Sequence, residues 1–138
     1  MGKALTLIFL FTISQVGCEG RDGRPSVAGS VSFQRQPIQK GTIKFLPISG
    51  TRGPSAGGAI TEGQYNISKW RPLPGKYTVV IRAFRGTEKM IETEAYGKRV
   101  QVEKTEQFIP ARFNARTELE VDIQPGKNTL DFNLKRED

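Results

Sequence analysis

Lys76-Tyr77-Thr78-Val79-Val80-Ile81-Arg82-Ala83-Phe84 is the longest strand pattern in the chain. Tyr77, Val79, Ile81 and Ala83 fall on one face at a period of two. Val80 and Phe84 fall on the other, so this strand is expected to be central or covered on both sides. Upstream, Trp70 to Gly75 (WRPLPG) is a Pro-rich corner. Before it, Ala59-Ile60-Thr61 and Gln64-Tyr65-Asn66-Ile67 flank Glu62-Gly63, the signature of a tight hairpin. Further upstream, Val27, Gly29, Val31 and Phe33 share a face, as do Ile43 and Phe45 in a strand that Pro47 ends. Ser49 to Gly58 (SGTRGPSAGG) is a loop by composition.

Downstream, Gly86 to Gly97 (GTEKMIETEAYG) is the one stretch able to hold a helical turn, and it forms the long excursion of the domain. Arg99–Val102 and Gln107–Ile109 are short strand candidates. Leu119, Val121 and Ile123 alternate with acidic residues. A turn at Pro125-Gly126-Lys127-Asn128 leads to Leu130, Phe132 and Leu134, which predicts a C-terminal hairpin. Short strands with Gly/Pro punctuation and almost no helix predict an all-β chain, a seven- to eight-stranded antiparallel β-sandwich.

The first eighteen residues, MGKALTLIFLFTISQVGC, have the layout of an export signal. Lys3 is the positive n-region and Ala4 to Ile13 the apolar core, shorter than the ~20 residues a bilayer crossing needs. Cys18, the only cysteine, closes this segment. The arrangement resembles the bacterial lipobox, in which the cysteine is lipidated and begins the mature chain. Val16 and Gly17 fit that pattern, while Gln15 stands where it prefers Leu. The expected organisation is a signal over 1–17, a tether over 18–25 and one domain over 26–138. A lone thiol in an oxidising compartment lacks a partner, which favours lipidation over simple secretion as a soluble protein.

The formal charge is +7, and loss of Lys3 with the signal leaves +6. The basic residues are scattered and not interleaved with aromatics, so nucleic acid is not an expected partner. Histidine is absent, which removes Ser-His-Asp and Cys-His catalysis and zinc sites of the usual Cys/His type. The acidic residues have neither the spacing of a calcium loop nor that of a hydrolytic pair. No cofactor or metal is expected.

Val27-Ala28-Gly29-Ser30-Val31, Gln36-Pro37-Ile38 and Gly41-Thr42-Ile43-Lys44-Phe45-Leu46-Pro47 follow one another in an order that resembles the carboxypeptidase regulatory-like, or transthyretin-like, bacterial domains. Gly63-Gln64-Tyr65, Pro74-Gly75-Lys76-Tyr77, Ile109-Pro110-Ala111-Arg112-Phe113-Asn114 and Phe132-Asn133-Leu134 extend the resemblance to most of the chain. It implies a prealbumin-like, Greek-key sandwich without catalysis. A transthyretin-related branch that hydrolyses a purine catabolite uses histidines and a C-terminal Tyr-Arg-Gly-Ser. This chain lacks both, and that activity is not carried over.

Within these patterns, both Gly-x-Tyr repeats read as a turn followed by a core tyrosine. Trp70 and Arg71, if exposed, would stack on carbohydrate or meet a partner, though a residue of this size favours a packed corner. Arg112 and Phe113 form a second candidate binding pair, or a structural corner that Phe113 plugs and Asn114 turns. The sequence therefore predicts a non-catalytic, exported lipoprotein of the cell envelope. It would be held to a membrane through Cys18 and would bind or scaffold an envelope protein or polysaccharide. A binder of carbohydrate or anionic polymer is the second reading, and a histidine-free hydrolase the third.

Overall fold

The structure, a computed structural model, describes residues 23–136. The expected signal, Cys18 and most of the tether lie outside the described residues. The described chain is all-β. It holds ten strands in one connected, curled sheet, with a single 3-10 turn at Ala111–Phe113. The strands are β1 Ser26–Phe33, β2 Gln36–Pro37, β3 Lys40–Pro47, β4 Ala56–Thr61, β5 Gln64–Ile67, β6 Gly75–Ala95, β7 Lys98–Gln107, β8 Glu120–Ile123, β9 Lys127–Thr129 and β10 Phe132–Leu134. Neighbours run β10-β1-β5-β4-β3-β6-β7, with β2 and β9 beside β1 and β8 beside β6.

The alternation of the central strand holds. Tyr77, Val79, Ile81 and Ala83 are all fully buried, as are Ile43 and Phe45 on the neighbouring β3. β3 lies antiparallel to β6 from Gly41↔Ala83 to Pro47↔Tyr77, which aligns these two inward faces. Val27, Val31, Ile60, Tyr65 and Ile67 complete the same core from β1, β4 and β5. The hairpin expected at Glu62-Gly63 is present. Both residues have positive φ, 51° and 76°, as a two-residue turn matched to strand twist requires. β4 starts at Ala56, so the expected loop over Ser49–Gly58 is shorter than its composition suggests.

The C-terminal hairpin is not formed. β8 pairs antiparallel with β6 from Gly75↔Ile123 to Thr78↔Glu120, whereas β9 and β10 both run parallel to β1. Alternation marks Leu119–Ile123 and Leu130–Leu134 as strands with one buried face, but it does not choose their neighbours. The turn between them is held by a side chain rather than a ladder. Asn128 is buried. It accepts from the Gln124 N–H at 2.9 Å and donates to the carbonyls of Gln124, Gly126 and Ser26 at 2.8, 3.2 and 3.3 Å. These bonds swing the chain off β6 and onto the start of β1. Asn128→Ala removes all four. The expected cost is about 2 kcal/mol, read as a lower urea midpoint at an unchanged slope. An unchanged midpoint would show that the turn holds without them.

The Gly-x-Tyr readings are met. The Tyr65 hydroxyl donates to the Leu130 carbonyl at 2.7 Å, and the Tyr77 hydroxyl donates to the Leu73 carbonyl at 2.9 Å. Burial raises both phenols above their usual range, with the nearby Asp131 charge adding to the effect at Tyr65. A raised pKa means that the folded state resists ionisation. Stability from this source is therefore complete below pH ~10 and is lost as pH rises beyond it. The stability gap between the parent and Tyr65→Phe is expected to narrow above pH ~10, by up to about 1.4 kcal/mol per pH unit. A gap that stays constant to strongly alkaline pH would contradict the burial of this phenol.

Gly86–Gly97 holds no helical turn. β6 runs on for twelve residues past its last pair with β3 and returns as β7. Thr87, Ile91 and Thr93 are β-branched and suit an extended chain. Tyr96 and Gly97, with φ of 53° and 72°, make the same kind of tight turn as Glu62-Gly63.

Candidate functional site

The hairpin of β6 and β7 beyond Arg85 is an arm. Ten residues from Gly86 to Ala95 reach about 30 Å at ordinary strand rise. All ten residues of β7 are exposed, and so is almost every residue of β6 from Arg85 onward. Past its root, therefore, the arm lies outside the core.

The register sorts its side chains. Ile91↔Val102, Thr93↔Val100 and Ala95↔Lys98 are cross-strand partners, as are Met90↔Glu103, Glu92↔Gln101 and Glu94↔Arg99. Partners opposite each other share a face. One face therefore carries an apolar stripe of Ile91, Thr93, Ala95, Val100 and Val102 flanked by Lys98 and Lys104, and the other is dominated by charged and amide side chains. On the apolar face Ile91, Val100 and Val102 are 43%, 36% and 39% exposed. Tyr96 stands fully exposed at the tip in a left-handed conformation that an ordinary side chain adopts only at a cost.

Local bonds fix the root of the arm. Arg85 pairs with Glu106 at 2.7 Å, and the Thr87 hydroxyl donates to the Lys104 carbonyl at 2.8 Å. The ladder shifts register between Gly86 and Met90. There Glu88 takes φ of 58°, and its N–H donates to the Glu103 carboxylate at 3.0 Å. A bulge of this kind strengthens local twist and re-aims the strand.

The residues singled out from sequence fall into two separate places. Trp70 is not packed: it is 79% exposed, with φ of 49°. Pro72, two residues on, is the buried member of this corner. Arg71 donates to the Arg24 carbonyl at 3.3 Å, just ahead of β1. Arg112 donates to the Lys135 carbonyl, just after β10, and its guanidinium lies 4.8 Å from the centre of the Phe113 ring. Phe113 is buried and serves the core. Asn114 donates to the Pro110 carbonyl at 3.1 Å, so it turns the backbone as expected. Leu134 pairs with Phe33 at the far end of β1. Trp70-Arg71 and Arg112-Phe113 thus sit at opposite ends of β1, roughly 25 Å apart by strand rise, and form no common site.

An open depression of about 580 Å³ is lined by Thr51, Arg52, Lys76 and Asp122 among others. The Thr51 hydroxyl is engaged with the Lys76 backbone on both its donor and acceptor sides, at 2.9 Å each. Among the described residues no group of three or more His, Cys, Asp or Glu could hold a metal, and no helix is long and apolar enough to cross a membrane.

No protein-family profile matches the chain, and no curated protein matches it. Among solved structures, a 9R-lipoxygenase from Cyanothece PCC8801 is similar over 98% of this chain and 18% of its own length, at 14% identity and a TM-score of 0.35. A likeness at that level carries no argument about fold or activity.

Proposed function

We propose that the chain is a non-catalytic envelope lipoprotein, anchored through Cys18, whose β-sandwich body holds out the β6–β7 arm to bind another envelope component. The observation that carries this reading is the arm itself, a two-faced hairpin whose apolar side is left in solvent. A lone two-stranded hairpin is marginal in water. An exposed aliphatic stripe on such an element marks a surface for contact. The reading of the body as a prealbumin-like sandwich is supported by the inward faces of β1, β3, β4, β5 and β6 meeting in one core. The anchor is supported by the signal pattern and the lone Cys18.

Gly86 and Thr105 are ladder partners, so the arm can be cut back by replacing residues 87–104 with Asn-Gly, a tight-turn pair. The shortened chain is expected to melt within a few degrees of the parent while its capture of defined envelope components falls at least tenfold. Equal capture by both chains would overturn the binding role of the arm. A mature mass lacking a lipid increment at Cys18 would overturn the anchor.

Trp70 favours a second reading, a carbohydrate or anionic-polymer binder. Counted from its Arg85–Glu106 root, the arm carries five basic and five acidic residues, so the +6 of the chain without its signal lies outside it. An anionic polymer would therefore meet the body and Trp70 rather than the arm. Glycan-array binding that falls with salt and with Trp70→Ala would favour this reading. A blank array would remove it.

A further inference from the structure

We infer that the arm's partner is a second copy of this chain, paired antiparallel along the outer edge of β7 with Gln101 on the two-fold axis. This rests on the binding role of the arm proposed above. β7 ends the strand order, so among the described residues no strand neighbours its outer N–H and C=O groups, and such an edge is a template for another strand.

Charge and pattern select both the partner and the register. Pairing about Gln101 sets Arg99 opposite the partner's Glu103 on the polar face, twice by symmetry. On the other face it sets Val100 opposite the partner's Val102, again twice. Opposite charges and β-branched pairs directly across an antiparallel ladder both stabilise it. Shifting the centre to Val102 would set Val100 against the partner's Lys104. Shifting it to Val100 would set Val102 against the partner's Lys98. Of these three registers only the one about Gln101 makes both the Arg99–Glu103 and the Val100–Val102 pairs, and it does so despite setting Lys98 opposite the partner's Lys104, also twice, one pair beyond the valines on their face. The arm's zero net charge suits self-pairing, since two copies meet there without net repulsion. The product is a four-stranded sheet, past the point at which strands support one another. It joins two copies of Ile91, Val100 and Val102 into one apolar stripe.

Gln101→Lys separates this pairing from the arm's own integrity. Within the chain Gln101 faces Glu92, so a lysine there supports the hairpin. Across the axis it places two lysines face to face. Sedimentation of the full chain in detergent is expected to show a concentration-dependent dimer, with a dissociation constant about fivefold or more higher for Gln101→Lys. Oxidation is expected to cross-link Gln101→Cys well above Arg99→Cys and above the parent, which retains Cys18. A monomer at all concentrations, a dimer indifferent to Gln101→Lys, or cross-linking no better at 101 than at 99 would overturn self-pairing. If the parent is monomeric yet envelope capture still depends on residues 87–104, self-pairing fails and the binding role stands. If capture ignores the arm, the binding role fails as well.

Discussion

Gly29→Ala is expected to destabilise the domain by about 3 kcal/mol or more, the upper end of overpacking costs. A Cβ at Gly29 would lie 2.0 Å from the Leu130 carbonyl oxygen and 2.7 Å from its carbon. The obstacle is backbone, so no side-chain rotation relieves it. Beside it, the Leu130 N–H donates to the Ala28 carbonyl at 2.9 Å. Asp131 accepts from the Ser30 N–H at 2.7 Å and from its hydroxyl at 2.9 Å. A methyl group at position 29 pushes on all three bonds and so on the docking of β9 and β10 against β1. Gly97→Ala is the control. Nothing lies within 4 Å of its would-be Cβ, but its φ is +72°, so its cost is about 1 kcal/mol from conformation alone. Thermal melts of the two variants should separate clearly. Equal melting points would mean that β1 and the 130–131 segment do not approach as described.

Tyr77→Ala has the largest expected effect in the core. Tyr77 is fully buried and stands where β3, β6 and β8 meet, opposite Pro47 on one side and Val121 on the other. Truncating a buried aromatic costs about 3–5 kcal/mol through lost burial and the cavity left behind. For a domain of this size that is a fall of roughly 12–20 °C in melting temperature. The hydroxyl adds a local role, since it also accepts from the Leu73 N–H at 3.2 Å and closes the corner after Trp70. Tyr77→Phe keeps the ring and loses only this clamp, at about 1–2 kcal/mol. Calorimetry of the two variants apportions the effect. Equal losses would place the stabilisation in the hydroxyl rather than in packing.

The sequence disclosed what depends on local order. Tyr77 to Ala83 alternate against a single core, so period two suffices to orient them. Glu62-Gly63 sits between two short alternating runs and reads directly as a hairpin. The arm was hidden for a physical reason. Glu88, Lys89, Met90, Glu92, Glu94 and Ala95 favour helix on intrinsic propensity. Their alternation with Val100 and Val102 emerges only once the chain is folded about Tyr96-Gly97. The visible signal was that two-residue turn, flanked by Ile91-x-Thr93 and Val100-x-Val102. The C-terminal strands were legible as strands but not in their pairing, because the buried Asn128 side chain and the close approach at Gly29 are long-range facts. Trp70 could be named a candidate from sequence. Its exposure could not, since residue size argues for burial while the corner's geometry decides.

Amide hydrogen exchange across Gly86–Gln107, read peptide by peptide from nanomolar to high micromolar protein, tests most directly whether the body carries the fold and the arm carries the contact. The body strands β3 and β6 up to Ala83 should be protected throughout. The arm should exchange quickly at high dilution and become protected as concentration rises or envelope components are added. Arm amides as protected as the core at every dilution would show that the arm belongs to the folded body. Fast exchange under every condition would show that nothing covers it.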